Sequence, residues 1–325
     1  MTFPHLDGRA AILADSLDLP TELAEWLAAT ALHSGCFLRS QLQFFFGYSE
    51  ENRVSTFRII RKLISKKLIV ETPLDTLGLL ARVTNKSIYR LLKADNIRHR
   101  RTTSWPITFR RLLALDFILD HPHLPWLATE PEKVACFDHL GIDRSLLPRR
   151  TWSGASGRTI RLFGNKHPIA VDTYSKQSWF LYADSDEQSH RGLQNWRNEH
   201  SALWSELYRL GFALFIVHAS FNTRLETNVS RVFSSWTRQP LVTTPSPEIA
   251  TKLLAIKDAI GSNDHQALED YGGFNNALQT GAALEEQLSL ENAISYSASY
   301  STWLSERLMQ ATSNPNPSGS HSRNS

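Results

Sequence analysis

Cysteine is scarce in this sequence. Cys36 and Cys136 are the only two in 325 residues, and they lie a hundred positions apart. No CxxC pair exists, which excludes a zinc ribbon, a thioredoxin-type motif and a disulfide-stapled scaffold. Long apolar runs are missing as well. The longest, Leu210 to Ala219, is about half of what a helix needs to span a bilayer, so it predicts a buried strand. The first residues lack a basic-then-apolar leader pattern. The expectation is a cytoplasmic protein with no membrane partner. Neither GxxxxGK[ST] nor GxGxxG occurs, GxSxG is absent, and no HExxH is present, so phosphate-cradling loops, a nucleophile elbow and a zinc helix are unsupported. No catalytic residue, metal site or cofactor is expected.

What is present is enough to fold. Hydrophobic residues make up 42% and charged residues 21%, which excludes a disordered or collagen-like chain. The length suits two domains at roughly 100–200 residues each. The net charge of +3 hides an asymmetry. Residues 53–111 hold 15 Lys/Arg against 3 Asp/Glu, a local +12, and the remainder carries −9. A basic block inside an acidic chain is a hint of nucleic-acid binding.

Residues 1–20 read as a leader with little periodicity. Thr21 can cap a helix carrying Leu23, Trp26, Leu27 and Ala31 at helical spacing. A second short helix fits Leu38 to Phe45 before Gly47. Ser49 can cap a third, 50–66, with Val54, Phe57, Ile60, Leu63 and Ile64 as its core stripe. Leu68 to Glu71 and Gly78 to Thr84 then read as two strands about a polar turn. Helix, helix, helix, hairpin is the order of a winged helix-turn-helix, expected over residues 21–105.

Such a helix fits the major groove, where exposed side chains meet base edges and cations hold phosphates. Arg53, Arg58, Arg61, Lys62 and Lys66 are the candidates on it. Arg82 and Lys86 are placed beside the hairpin for backbone contact. Arg98, Arg100 and Arg101 form a dense basic link suited to phosphate. The alternative for each is an ordinary solvated face, or weak pairing with the acidic half.

Residues 106–150 predict a helical connector, with Thr129 and Glu132 forming a capping box and Gly141 ending that helix. Residues 155–240 predict a small α/β domain. Its strands are 158–163, 168–173, 178–183 and 212–218, with an amphipathic helix at 188–210 carrying His200 on its apolar face. The β-β-β-α-β order invites a nuclease test. Asp172 and Asp184 are the candidate metal ligands, with Asp186 and Glu187 nearby, but no acid-x-Lys follows. A nuclease-like fold without its active site is the expectation. Residues 241–312 predict helices, with Tyr296 and Tyr300 in a Ser-rich one, and residues 313–325 a disordered tail. The expected class is therefore α+β: an N-terminal winged helix-turn-helix, a helical connector, a small α/β domain and C-terminal helices.

The runs RSQLQFFFGYSEENRVSTFRIIRKLISKKLI (39–69), RVTNKSIYRLLKADNIRHRR (82–101) and RRLLALDFILDHPHLPWLATEPEKVACFDHLGI (110–142) together resemble bacterial replication-relaxation-type proteins of plasmids and integrative elements. The resemblance covers roughly residues 30–240 and carries no catalytic signature. It implies a winged-helix DNA-binding region joined to an α/β domain, with a role in plasmid replication or in DNA relaxation and mobilisation. The leading expectation is sequence-selective binding of double-stranded DNA in a mobile genetic element, serving replication, mobilisation or transcription control without catalysis. Expected partners are double-stranded DNA, a relaxase, replication or transposition proteins, and a second copy of the chain. The alternatives are a metal-dependent nuclease using Asp172 and Asp184, and a protein-interaction module whose basic segment docks an acidic partner.

Overall fold

The computed structural model describes residues 1–48, 53–74, 78–95, 97, 99, 103–154, 157–164, 166–184, 190–221, 225–238, 247–289 and 294–300. The architecture is mixed α+β, with three separate sheets among these residues. The N-terminal elements are α1 (Asp7–Leu17), α2 (Thr21–His33), β1 (Cys36–Leu38), α3 (Arg39–Phe45), α4 (Arg53–Ser65), β2 (Ile69–Leu74), β3 (Gly78–Val83) and α5 (Lys86–Leu91). The expected leader is in fact part of the core: Phe3, Leu6, Ala10 and Leu13 are buried. Their spacing is helical from Leu6 onward, but Ala10 supplies only one methyl to the stripe, so the signal is faint.

α2 is buried on every side from Leu23 to His33, as a helix central to its unit must be. The short sheet runs β1-β3-β2, antiparallel throughout. Gly35 links α2 to β1 at φ +75°, and its carbonyl accepts from Val83 N at 2.9 Å. A Cβ there would lie 2.4 Å from His99 Cβ and 2.7 Å from its carbonyl oxygen. Only glycine meets both demands.

Next come α6 (Trp105–Asp120), β4 (Trp126–Leu127), α7 (Glu130–His139), and the hairpin β5 (Arg149–Gly154) with β6 (Gly157–Leu162). β7 (Ile169–Asp172), β8 (Gln177–Ala183), α8 (His190–Arg209), β9 (Ala213–Ser220) and α9 (Glu226–Arg238) follow. The chain continues through α10 (Pro247–Ser262), α11 (His265–Glu269), α12 (Phe274–Ser289) and β10 (Ile294–Tyr300). The main sheet is ordered β10-β9-β8-β7-β4. β8, β9 and β10 are parallel, while β7 and β4 run antiparallel to their neighbours.

Two expectations fail here. The strand at 158–163 does not join the main sheet; among the described residues β6 pairs only with β5. Tyr296 and Tyr300 are not helical: they belong to the parallel edge strand β10. The segment ISYSASY alternates serine with Ile294, Tyr296 and Ala298, which pack on the core, and serine at every second position is a strand signature.

Alternation also sorts the sheet's two faces. Phe180, Tyr182, Leu214 and Ile216 point toward α8 and α9, whereas Ala170, Leu181, Ala183, Val217 and Ala219 join the N-terminal core. Ala170, Ala183 and Ala219 on that second face leave room for α6, where Phe117 meets Trp179 and every residue from Leu112 to Leu119 is buried. The expected connector is therefore a central helix, packed against β1 on one side and β8 and β9 on the other. The capping box of α7 forms as expected: Glu132 N donates to Thr129 Oγ1, and Thr129 N to Glu132 Oε2. α10, α11 and α12 enclose a small core of their own around Ile256, Leu268 and Ala277.

Candidate nucleic-acid interface

α4 contains no acidic residue. It packs on α3 and β2 through Thr56, Ile60 and Leu63, which are buried. These lie four and three residues apart, one helical face. The expected stripe was wider. Val54, Phe57 and Ile64 are 60%, 37% and 39% exposed, because a helix lying on two neighbours at its unit's surface buries only the narrow strip between them.

The outward face therefore mixes cations with apolar side chains. Arg58, Arg61 and Lys62 are exposed. The Arg61 guanidinium lies 4.3 Å from the Phe57 ring centre, and that of Arg39 lies 5.4 Å from the same ring. Arg39 is held by Glu71 of β2 through Nε and Nη2, at 3.0–3.1 Å. Sequence reasoning passed over Arg39, since nothing local marks a residue whose partners lie 18 and 32 positions away. Cation–π contact and the carboxylate limit where these guanidinium groups can point.

The other candidates divide. Arg53 opens α4, and its side chain lies outside the described set. Lys66 is engaged within the fold: Nζ donates to the carbonyls of Leu17 and Asp18 at 2.9 Å and pairs with the Asp18 carboxylate at 3.2 Å. It caps the end of α1 rather than facing outward. Arg82 departs from the expected wing contact. It sits in the central strand between Cys36 and Val70, only 9% exposed, and its Nη1 makes no hydrogen bond among the described residues. Lys86 is exposed at the start of α5, where the Asn85 side chain caps Ser87 N at 2.8 Å. Arg98, Arg100 and Arg101 lie outside the described residues. His99 between them is buried; its Nδ1 is 3.2 Å from the Ala31 carbonyl and its own carbonyl accepts from Arg111 at 3.1 Å.

The carboxylates considered for a metal do not meet. Asp172 is in register with Gln177 at the start of β8, and Asp184 follows the end of that strand. Seven residues at ~3.3 Å each put them ~23 Å apart, too far for one ion. Asp172 accepts from Tyr174 N, Ser175 N and Ser175 Oγ in the β7–β8 turn, and these bonds hold its carboxyl below the usual range. Asp184 is buried, with Oδ2 3.2 Å from His218 Nε2 on β9. Asp186 and Glu187 lie outside the described residues, and among the described ones no three His, Cys, Asp or Glu side chains cluster as metal ligands.

His200, on the buried face of α8, is held inside the fold. His200 is 3% exposed, with Nδ1 2.8 Å from the Trp196 carbonyl, and burial drives its pKa down to about 3. Neither a family model, nor a curated protein, nor a solved structure matches this chain.

Proposed function

We propose that this protein binds double-stranded DNA through a winged helix built from α2, β1, α3, α4, β2 and β3. α4 is the recognition helix in this reading, and the β2–β3 hairpin is the wing that lies along the backbone. The observation that carries it is the outward face of α4, where Arg58, Arg61 and Lys62 stand exposed with no acidic residue on the helix. Sheet order β1-β3-β2 and the packing of α4 on α3 fit the same reading. Phosphates bind the cations, while Phe57 and Val54 offer apolar contact to thymine methyl groups. Sequence selectivity would reside there, and Lys86 would add a backbone contact. The resemblance noted from the sequence implies a role in a mobile element, in replication, mobilisation or transcription control.

The test is equilibrium binding of a labelled duplex at low salt. Wild type binds, Arg58→Ala/Arg61→Ala binds at least tenfold more weakly, and Lys66→Ala binds like wild type. Equal binding by all three proteins would move the interface away from α4.

A further inference from the structure

A cleft of about 680 Å³ opens where the end of α2, Lys93, Ala94, Ile97 and His99 face α7 and β6. That size falls within the range of roughly 300–1,000 Å³ typical of small-molecule sites. The cleft lies apart from the exposed face of α4, and no residue of α4 lines it.

Its charge is one-sided. Lys93, Lys133, Arg144, Arg161 and Lys166 contribute cations, against the carboxylates of Glu130 and Asp138. Asp138 and Arg144 neutralise each other in a two-pronged pair. Lys93, Lys133 and Arg161 then share the cleft with Glu130, whose Oε1 already accepts from Leu162 N at 2.9 Å.

Lys133 is the most informative of them. It is 4% exposed, yet has no carboxylate within ion-pair distance among the described residues. Its Nζ donates to the His167 carbonyl at 2.7 Å and lies 5.7 Å from the Phe163 ring centre. Glu132, next in sequence, is taken up by Arg9 and by the cap of α7. A buried ammonium whose neighbouring carboxylates, Glu130 and Glu132, are engaged elsewhere is costly to the fold. Burial lowers its pKa to about 8, which still leaves it largely protonated at neutral pH.

The rest of the cleft suits a ring. Leu32, Ile97 and Val134 line it, with Ile160 56% exposed on β6. His33, at the end of α2, is buried, and its Nε2 makes no hydrogen bond among the described residues. Apolar walls with a few convergent polar groups describe an amphipathic ligand better than a bare ion.

We infer that this cleft binds a phosphorylated nucleotide, with phosphate at Lys133 and Arg161 and the nucleoside against Leu32, Ile97 and Ile160. The ligand is a free nucleotide or the phosphorylated end of a nucleic-acid strand; both present the same chemistry.

Calorimetric titration of the full chain tests this with ATP, pyrophosphate and a 5′-phosphorylated single-stranded trinucleotide. Saturable one-to-one binding of ATP or of the trinucleotide is expected, weakened at least tenfold in Lys133→Met and in Arg161→Ala. Lys133→Met keeps the volume while removing the buried charge, and Arg161→Ala, on a hairpin strand, serves if that variant does not fold. Arg58→Ala/Arg61→Ala should bind these ligands like wild type. Preference for ATP identifies a free nucleotide, and preference for the trinucleotide a strand end. The inference is overturned if neither binds at millimolar concentration, if pyrophosphate binds as tightly as both, or if binding follows Arg58 and Arg61 instead of Lys133 and Arg161.

Discussion

α4 and α8 are both amphipathic helices with one face against a neighbouring layer, and they differ in what they turn outward. α8 buries Leu193, Trp196, His200, Leu203, Trp204 and Leu207 against the main sheet. Its carboxylates have cations beside them: Glu199 pairs with Arg150, and Glu206 with Arg209. α4 has four cations in 13 residues and no acid among them. A face whose charges are paired presents little net field, whereas an uncompensated row of guanidinium and ammonium groups attracts a polyanion. The same contrast runs inward. The sheet unit buries ionisable groups, such as His167, His200 and the Asp184–His218 pair, while the exposed face of α4 keeps its charges in water.

The largest effect that bears on this contrast is expected at the platform beneath α4. Gly35→Ala forces a side chain into a left-handed backbone and against the His99 backbone. A loss of about 3 kcal/mol or more is expected, measured by denaturant titration. A loss under about 1 kcal/mol would show that His99 is not packed there.

Acid should act through buried histidines. His200 falls to about 3 and His5 to about 4, each chiefly through burial; burial likewise lowers His33, His99 and His167 well below the usual value. The fold favours the neutral ring. Stability is therefore complete above the unfolded value near 6.5 and is lost as pH falls from there toward about 3. For His200 alone the loss at pH 5 is about 2 kcal/mol. Replacing His200 with Gln should flatten the pH dependence of unfolding between pH 7 and 5. An unchanged slope would mean that ring is not buried neutral.

A smaller loss is expected from Asp184→Ala, which leaves His218 Nε2 without its partner inside the sheet. About 1–3 kcal/mol is typical of an orphaned buried group, and duplex affinity should not change. An affinity loss at constant stability would tie the sheet unit to DNA after all. The smallest effect belongs to Lys66→Ala, about 0.5–1 kcal/mol from the lost cap on α1. Thermal unfolding resolves it.

Much of the local structure was legible in the chain. Gly47 and the Thr129–Glu132 box mark their boundaries with chemistry that acts within a few residues, whereas Pro73, read as part of a turn, lies within β2. What stayed hidden depends on distant partners. β6 reads as a strand, but nothing in it says that it pairs with β5 rather than β7. β10 is concealed by serine, which lowers its hydrophobicity while preserving alternation. Arg82 and Arg58 look alike as sequence, yet one occupies a central strand and the other an outer helix face. Phe57 reads as core because hydrophobicity alone cannot say how wide a strip the neighbours cover. Lys133 gives no signal at all, since its environment is assembled from β6, the turn after it, and α7.

The salt dependence of duplex affinity decides whether α4 meets phosphate. Log affinity is expected to fall linearly with log salt, and Arg58→Ala/Arg61→Ala to lower the magnitude of the slope by about two units, roughly 0.9 per lost phosphate contact. No duplex binding at low ionic strength, or an identical slope in the double variant, would contradict that contact.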